Sequence, residues 1–206
     1  MKYISEKTFK MIAEKIESAE SESSCELLAV FAKRSDDYSY IPILWAAIAA
    51  LLLPAALYVL FPLSQPDIAS FSFLQLLVFV LSAMILRLER FRTMVVPKRV
   101  KIKRAAQTAQ MQFAVHGLNG ADAPPAILFF VSFDERYVQI ITNAKVQIKD
   151  NIWQEIIDKM LKRIKAGSLD SGMIEAVGEI SEVMAQKCPA EPEDGFNRFP
   201  NRLIVL

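Results

Sequence analysis

The sequence has few of the residues on which many common functions depend. Among its 206 residues are two cysteines, one histidine and six glycines. Cys25 and Cys188 stand far apart without CxxC spacing. They are too few for a disulfide scaffold and wrongly spaced for structural zinc, so we expect buried thiols in a reducing compartment. No glycine-rich phosphate loop, HExxH motif, internal repeat or low-complexity segment is present, so the common nucleotide and zinc-hydrolase motifs are excluded.

An excess of charge of one sign is also lacking. The chain has 24 basic and 23 acidic side chains and a formal net charge of +1, so no overall field favours an acidic partner or nucleic acid. The start, MKYISEKTFK, is charged and lacks the apolar segment of a cleavable secretory signal. Hydrophobic residues, by contrast, make up 53% of the chain, and the mean hydropathy is +0.27. These values indicate that part of the surface faces lipid.

Two long apolar runs account for this hydropathy. Residues 41–61 carry no charge, and as a helix they would cover about 30 Å of hydrocarbon. Residues 68–86 also carry no charge and contain one amide side chain, that of Gln75. Only residues 62–67 separate the runs, so we expect an antiparallel hairpin of two transmembrane helices. A buried core hairpin is the alternative, but the chain has no other part large enough to wrap two such helices.

Cations flank this hairpin and are lacking between its two runs. Lys33 and Arg34 precede it, and eight further cations follow it within about 20 residues. The positive-inside rule therefore predicts that both termini and the soluble part lie in the cytoplasm. We interpret the following cations as a contact with anionic lipid headgroups, with a specific lipid or nucleic-acid site as the alternative. These residues are Arg87, Arg90, Arg92, Lys98, Arg99, Lys101, Lys103 and Arg104.

Before the hairpin, the pattern predicts one helix and one strand. Ser5 is a suitable N-cap for a helix that presents Phe9, Ile12, Ala13 and Ile16 on one face. Residues 25–32, CELLAVFA, have the length and composition of a strand. Fewer than 40 residues cannot bury enough apolar surface to fold alone, so these two elements need a partner.

After the hairpin, the pattern predicts a helix, two strands and two more helices. The strands are residues 126–133, which are almost continuously apolar, and residues 136–143, which alternate. Asp150 is the expected cap of the second helix and Gly167 its stop, while Gly172 and Gly178 allow close contact in the third. The predicted apolar stripes are Ile102, Ala106, Ala109 and Phe113; Ile152, Ile156, Met160 and Ile164; and Met173, Val177, Ile180 and Met184.

We therefore predict one α/β domain, a sandwich of a mixed sheet and helices, with the transmembrane hairpin inserted after its first strand. Strand 25–32 is expected to pair with strand 126–133. The predicted divisions are residues 1–37 for the first helix and strand, residues 38–92 for the hairpin, and residues 93–206 for the rest of the soluble domain and the tail.

This order of elements resembles the TPM domain family, in particular its bacterial membrane-anchored branch with two inserted transmembrane helices. The resemblance rests on IAEKIESAESESSCELLAVFA, AILFFVSFDERYVQIITNAKV, WQEIIDKMLKRIKAG, GMIEAVGEISEVMAQKCP and the tail FNRFPNRLIVL. It implies an α/β sandwich in the bacterial inner membrane. Some members of the family bind calcium or are credited with acid phosphatase activity, and others are accessory factors for large membrane complexes.

The chain departs from this family at two places. Similar proteins tend to have an acidic residue where this chain has Asn143, and Lys145 follows nearby. A cation site would thereby lose a carboxylate and gain a positive neighbour. The loop ADAPP also replaces small polar residues and glycine. Both changes are evidence against phosphatase activity in this chain.

Asp134, Glu135 and Arg136 form the only dense polar cluster flanked by strands. We interpret them as a solvated turn. As a site, the two carboxylates could hold calcium or magnesium with Asp122 or Asp150, and Arg136 could meet a phosphate. His116 ends a helix before Gly117, and we expect it to act as a cap rather than in catalysis.

The resulting hypothesis is a non-enzymatic, membrane-anchored cytoplasmic module that contacts the lipid bilayer and binds a protein partner, without nucleic acid or a cofactor. It would help to assemble or maintain an inner-membrane complex. The alternative is a metal-dependent acid phosphatase that uses calcium or magnesium.

Overall fold

The structure is a computed structural model that describes residues 4–61, 67–88, 91, 94–120, 122–189 and 203–206. The chain divides into two compact units. We call the first the α/β unit, which comprises Met1–Ser35 and Ile102–Leu206, and the second the hairpin unit, which comprises Asp36–Lys101. In chain order the elements are α1 (Glu6–Glu22), β1 (Glu26–Ala32), α2 (Tyr40–Leu60), α3 (Ile68–Arg87), α4 (Lys98–Val115), β2 (Ala126–Ser132), β3 (Tyr137–Thr142), α5 (Asp150–Lys165), α6 (Leu169–Lys187) and β4 (Ile204–Val205).

The sheet joins strands from both sides of the hairpin insertion. Its order is β3-β2-β1-β4. β1 pairs in parallel with β2, from Glu26 opposite Ala126 to Ala32 opposite Ser132, and β2 pairs antiparallel with β3. The predicted pairing of the first strand with strand 126–133 is confirmed, and so is the mixed α/β fold. The tail adds β4 in parallel to β1, an edge strand too short for the sequence pattern to predict.

Helices cover both faces of this sheet. Alternate residues of the two central strands point to opposite sides, as the pleat requires. Leu27, Ala29 and Phe31 of β1 belong to the larger core cluster, which α1, α5 and α6 complete. Leu28 and Val30 belong to a smaller cluster that is closed by α4 and Leu118. Because both faces of β1 and β2 are covered, these strands are almost continuously apolar.

Three features of the helices in the α/β unit were correctly predicted from the sequence. The hydroxyl of Ser5 accepts a hydrogen bond from the backbone N–H of Thr8 at 3.2 Å, which confirms the N-cap of α1. Gly167 follows α5 with a φ of +76°, as a helix stop requires. A Cβ on Gly172 would lie 2.7 Å from the Cβ of Arg163, so this glycine does allow close contact of α5 and α6.

Two helix predictions need correction. Ile102 is exposed, because the part of α4 that covers the sheet begins only at Ala105, so the buried residues of α4 are Ala105, Ala109, Gln112 and Phe113. Asp150 is the first residue of α5 rather than its cap, and the capping position belongs to Lys149. The carboxylate of Asp150 still lies in the first turn, where the helix dipole favours it.

The hairpin unit leaves most of its apolar side chains uncovered. Ala46, Ala50 and Pro54 are buried at four-residue spacing, so a seam of small side chains on α2 lets it pack closely on α3. The indole N–H of Trp45 donates to the carbonyl oxygen of Val95 at 3.2 Å. Both helices are long and apolar enough to cross a membrane, and only 17% of the tested window of α2 and none of that of α3 is buried. The exposure of both helices argues against a core hairpin of a soluble protein.

Candidate functional site

The predicted polar turn lies where β1 and β2 end side by side. The backbone N–H of Phe133 donates to the carbonyl of Ala32 at 3.0 Å, and that of Asp134 donates to the carbonyl of Lys33 at 3.0 Å. These bonds extend the parallel pairing past the last residue of β2. In open α/β sheets the carboxyl ends of parallel strands are the usual place for a ligand, which makes this edge the first candidate site.

Buried hydroxyl and carboxylate groups are hydrogen-bonded to one another at this edge of the sheet. Glu135 is 8% exposed and Ser132 is fully buried. The hydroxyl of Ser132 donates to Oε2 of Glu135, and the backbone N–H of Ser35 donates to Oε1 at 3.2 Å. The hydroxyls of Ser35 and Ser132 are 2.8 Å apart, and Thr108 of α4 donates to the carbonyl of Ser35 at 3.2 Å. Glu135 therefore ties the loop after β1 to the turn after β2.

The other two members of the predicted cluster lie nearer to the surface. Asp134 is half-buried, and Arg136 is exposed with a φ of +50°, a left-handed conformation that is uncommon for residues other than glycine and asparagine. The backbone N–H of Arg136 donates to the carbonyl of Phe133 at 3.1 Å and closes the turn. The predicted turn at Asp134 and Glu135 is thus present, although Glu135 points into the protein instead of into solvent.

Asn143 organises the opposite end of β2. Its side-chain amide donates to the carbonyl oxygens of Pro124 at 2.6 Å and Leu118 at 3.3 Å. Its side-chain oxygen accepts from the backbone N–H groups of Ala126 and Lys145, both at 3.3 Å. Similar proteins were expected to carry an acidic residue at this position. Asn143 instead holds the loop through N–H donors as well as an acceptor oxygen, and we call such a side chain a polar latch.

Lys145 adds a positive charge to the same loop. Its ammonium group donates to the carbonyl oxygen of Ala123 at 2.5 Å. The carbonyl oxygens of Leu118, Ala123 and Pro124 are thus all engaged by donors from Asn143 and Lys145. Such oxygens are ligands that calcium prefers, and here side-chain donors of the chain occupy them.

The structure does not bring the four predicted metal ligands together. Asp134 and Glu135 follow β2, whereas Asp122 precedes it, and a strand of this length separates its two ends by roughly 20 Å. Asp150 begins α5, which follows β3 on its return toward the Asp122 end. Among the residues that the structure describes, no group of three or more His, Cys, Asp and Glu side chains could hold a metal ion.

Two neighbouring acidic residues, the half-buried Glu20 of α1 and the buried Glu26 of β1, were not predicted from the sequence. Glu26 is 6% exposed, and Oε1 of Glu20 accepts from the backbone N–H of Leu27 at 3.2 Å. Burial is the main cause that raises the pKa of Glu20 to about 7. The hydrogen bond from Leu27 N–H lowers this pKa, and the nearby charges of Glu26 and Glu17 raise it. An acid inside the apolar run CELLAVFA was the available signal.

The remaining predicted residues lie on the surface or at helix ends. His116 follows α4, and the left-handed Gly117 with the bond from Leu118 N–H to the carbonyl of Phe113 at 3.1 Å ends that helix, so backbone groups supply the cap. Of the predicted lipid contacts, Arg90 and Arg92 lie outside the described residues. Lys101 is half-buried, and the exposed ones are Arg87, Lys98, Arg99, Lys103 and Arg104.

Two features therefore define the class of protein: a three-layer α/β unit and, inserted in its chain, a pair of exposed apolar helices of membrane-spanning length. Residues 90–183 match the family model of the TPM domain. This match supports the resemblance to the TPM domain family that the sequence motifs predicted.

One solved structure supports this fold assignment. The NMR structure of the BA42 protein from the psychrophilic bacterium Bizionia argentinensis sp. nov. is similar to it with a TM-score of 0.57 and 12% sequence identity, over 100% of this chain and 97% of that chain. At this identity the similarity shows the fold alone. No curated protein matches the chain.

Proposed function

We propose that the chain is a membrane-anchored TPM-domain module, non-enzymatic, that binds a protein partner on the cytoplasmic side of the bacterial inner membrane and helps to assemble or maintain a membrane complex. One observation carries the proposal: α2 and α3 expose apolar side chains along their length, although they are inserted between two neighbouring strands of one sheet. Such a surface is costly in water, and a bilayer that covers it would remove that cost.

The basic start of α4 supports contact with lipid headgroups. Lys98, Arg99 and Lys101 lie in the first turns of a helix whose first turn contains no acidic residue. Cations at this end oppose the helix dipole, each at a cost of about 0.3 to 1 kcal/mol. Anionic headgroups would offset that cost, and they would also explain why the basic tract directly follows the second apolar helix.

The polar groups of the α/β unit support a structural role. Glu135 accepts bonds from Ser132 and Ser35, and Asn143 holds the loop before β2. A general acid or base must present its functional atoms to a substrate, and a metal ligand must present them to the ion. Glu135 is nearly inaccessible and is held by groups of its own chain, so protein binding is the function we favour.

Topology is tested with reporters that are active only in the cytoplasm. A fusion after Leu206 should be active, and one inserted within residues 62–67 should be inactive. The opposite pattern would overturn the orientation. The variants Leu77→Lys and Lys162→Leu then test the span. We expect the first to lower the membrane-bound fraction, since a charge at the centre of a span costs about 2.5 to 3.5 kcal/mol. The second, at an exposed position of α5, should leave it unchanged.

Partner binding is tested by native electrophoresis of gently solubilised membranes that carry the tagged full chain. We expect the chain to migrate in an assembly larger than the purified protein under the same detergent conditions, and mass spectrometry of that band should identify the partner. Migration at the position of the purified protein across mild detergents would contradict the proposal.

A metal-dependent phosphatase is the second candidate, because the turn with Asp134 and Arg136 lies at the carboxyl ends of two parallel strands and is exposed in part. The full chain should then hydrolyse a phosphomonoester in the presence of calcium or magnesium, and Asp134→Asn should lose this activity. It should also melt at a higher temperature with the ion. Our first proposal expects no hydrolysis and a flat titration to millimolar ion.

A further inference from the structure

The two cysteines, far apart in the sequence, lie together in the fold. Ser23 and Pro189 form an isolated antiparallel bridge, and the backbone N–H of Ser24 donates to the carbonyl oxygen of Cys188 at 2.9 Å. The residues just before β1 are therefore hydrogen-bonded to the residues just after α6. This contact was not predicted from the sequence, because it depends on the position of α6 beside α1.

The side chains of both cysteines meet in the larger core. Cys25 is 1% exposed, Cys188 is half-buried against the same cluster, and the two thiols are hydrogen-bonding neighbours. Both are free thiols. The bridge itself pairs Ser23 with Pro189, so Cys25 lies two residues and Cys188 one residue away from it. The bridge and the bond from Ser24 N–H to Cys188 hold the two backbone segments together, and the hydrogen-bonding contact between the thiols brings their sulfur atoms within reach of each other.

We propose that Cys25 and Cys188 are a modification site, at which a small-molecule disulfide oxidant converts the two thiols into a reversible intramolecular disulfide. The site lies in the α/β unit, and the inference is independent of the function proposed above.

The reaction proceeds in two balanced exchange steps. The thiolate of Cys188, after giving its proton to water, attacks one sulfur of the oxidant RSSR and releases RS⁻, which takes up a proton as RSH. The thiol of Cys25 then loses its proton and attacks the Cys188 sulfur of the mixed disulfide, which releases the second RSH. In sum, two protein thiols and RSSR yield one protein disulfide and two RSH.

The two thiols have different tasks because their surroundings differ. Burial raises the pKa of the Cys25 thiol well above its ordinary value, and the neighbouring Cys188 raises it further. The less buried Cys188 is therefore the entry point for the oxidant, and Cys25 resolves the mixed disulfide from inside the core. This order assigns a distinct product to each single variant.

The test uses the full-length protein in detergent micelles, reduced and then incubated with glutathione disulfide. After acid quenching and alkylation of the remaining thiols, intact mass spectrometry should show a monomer that lacks two hydrogens and retains no glutathione. Cys25→Ala should retain one glutathione, on Cys188, and Cys188→Ala should remain unmodified. The wild-type melting temperature should rise by several degrees on oxidation and fall back with reductant.

Several outcomes would overturn the proposal. They are a wild-type protein that remains reduced while Cys25→Ala takes up glutathione, one that retains glutathione without closing, or one that forms a disulfide-linked dimer. The same treatment in urea is the control for folding: there we expect adducts on both cysteines to outnumber the closed form, because closure depends on the native contact. Equal closure in urea would also contradict the proposed site.

Discussion

The two units of the chain treat their apolar side chains in opposite ways. In the α/β unit, Phe129 and Phe130 are fully buried between sheet and helices. In the hairpin unit, Phe73 is 68% exposed and Val59 is 75% exposed. The α/β unit gains hydrophobic free energy by burying its apolar side chains against one another. The hairpin unit leaves its apolar side chains exposed, so they can gain this free energy only from contact with their surroundings. One sequence thus carries a unit that buries its apolar side chains and an insertion that exposes them on two helices long enough to cross a membrane.

The difference teaches how an insertion of this kind can be tolerated. The parallel strands β1 and β2 need a connection in any case, since a parallel pair cannot be joined by a tight turn. The connection here contains α2 and α3 and then α4, which covers one face of the sheet. An antiparallel helix pair ends near where it began, so the spans add length without changing the strand pairing.

The largest expected effect compares one phenylalanine from each unit. We expect Phe129→Ala to lower the free energy of unfolding of the α/β unit by about 3 to 5 kcal/mol, since it leaves a cavity between sheet and helices. Phe73→Ala should leave that free energy unchanged within about 0.5 kcal/mol. Urea titration of the full chain in detergent measures both changes in the free energy of unfolding. The titration uses a Trp45→Phe background, which leaves the buried Trp153 as the only tryptophan. Similar losses for the two would remove the contrast between the units.

The second prediction concerns polar latches, which the α/β unit uses at its loops. Asn143→Asp removes the donors to the carbonyls of Leu118 and Pro124 and should lower the free energy of unfolding by about 2 to 3 kcal/mol. The control Lys145→Ala removes one bond of an exposed side chain and should cost less than about 1 kcal/mol. The Trp153 titration reports both. A stabilised Asn143→Asp variant would show that the position is a carboxylate site and not a latch.

Local patterns in the sequence predicted the elements of this fold and one contact between distant segments, the pairing of the two central strands, but not the other long-range contacts. The apolar runs, the caps at Ser5 and Gly167 and the pairing of the two central strands followed from periodicity and from the need of each half for a partner. Periodicity predicted the apolar stripe of α4, but it could not show at which residue this helix begins to cover the sheet. The prediction that Ile102 belongs to the buried stripe was therefore wrong.

The candidate site could be predicted less well, for a physical reason. Composition marked Asp134, Glu135 and Asn143 as unusual, but the direction of each side chain depends on neighbours far away in the sequence. Ser35 lies 97 residues from Ser132, and its backbone draws Glu135 inward. The pairs of Glu20 with Glu26 and of Cys25 with Cys188 likewise depend on the packing of α1, β1 and α6.

A third prediction sharpens the comparison at the helix contacts, which rely on small residues in both units. Gly172→Ala would place a methyl group 2.7 Å from the Cβ of Arg163 and 3.0 Å from the sulfur of Met160, so α5 and α6 must move apart. We expect a loss of about 1 to 2 kcal/mol. The matched control, Gly178→Ala, meets only the flexible end of Lys15 at 3.1 Å and should stabilise α6 by about 0.5 kcal/mol. Thermal melting of both variants separates packing from helix propensity, and equal shifts would contradict the close contact.

The smallest expected effect is a pH dependence that arises in the α/β unit, at Glu20, whereas α2 and α3 contain no acidic side chain. The folded state raises the pKa of Glu20 from 4.5 to about 7, so between these values it holds a proton that the unfolded chain releases. The free energy of unfolding should therefore fall as the pH rises from about 5 to about 7.5, by about 1 kcal/mol because solvent screens a half-buried carboxylate. Glu20→Gln retains an acceptor for Leu27 N–H and should flatten this slope, whereas the exposed Glu14→Gln on the same helix should preserve it. Parallel slopes for the two variants in the Trp153 titration would assign the pH dependence to another group.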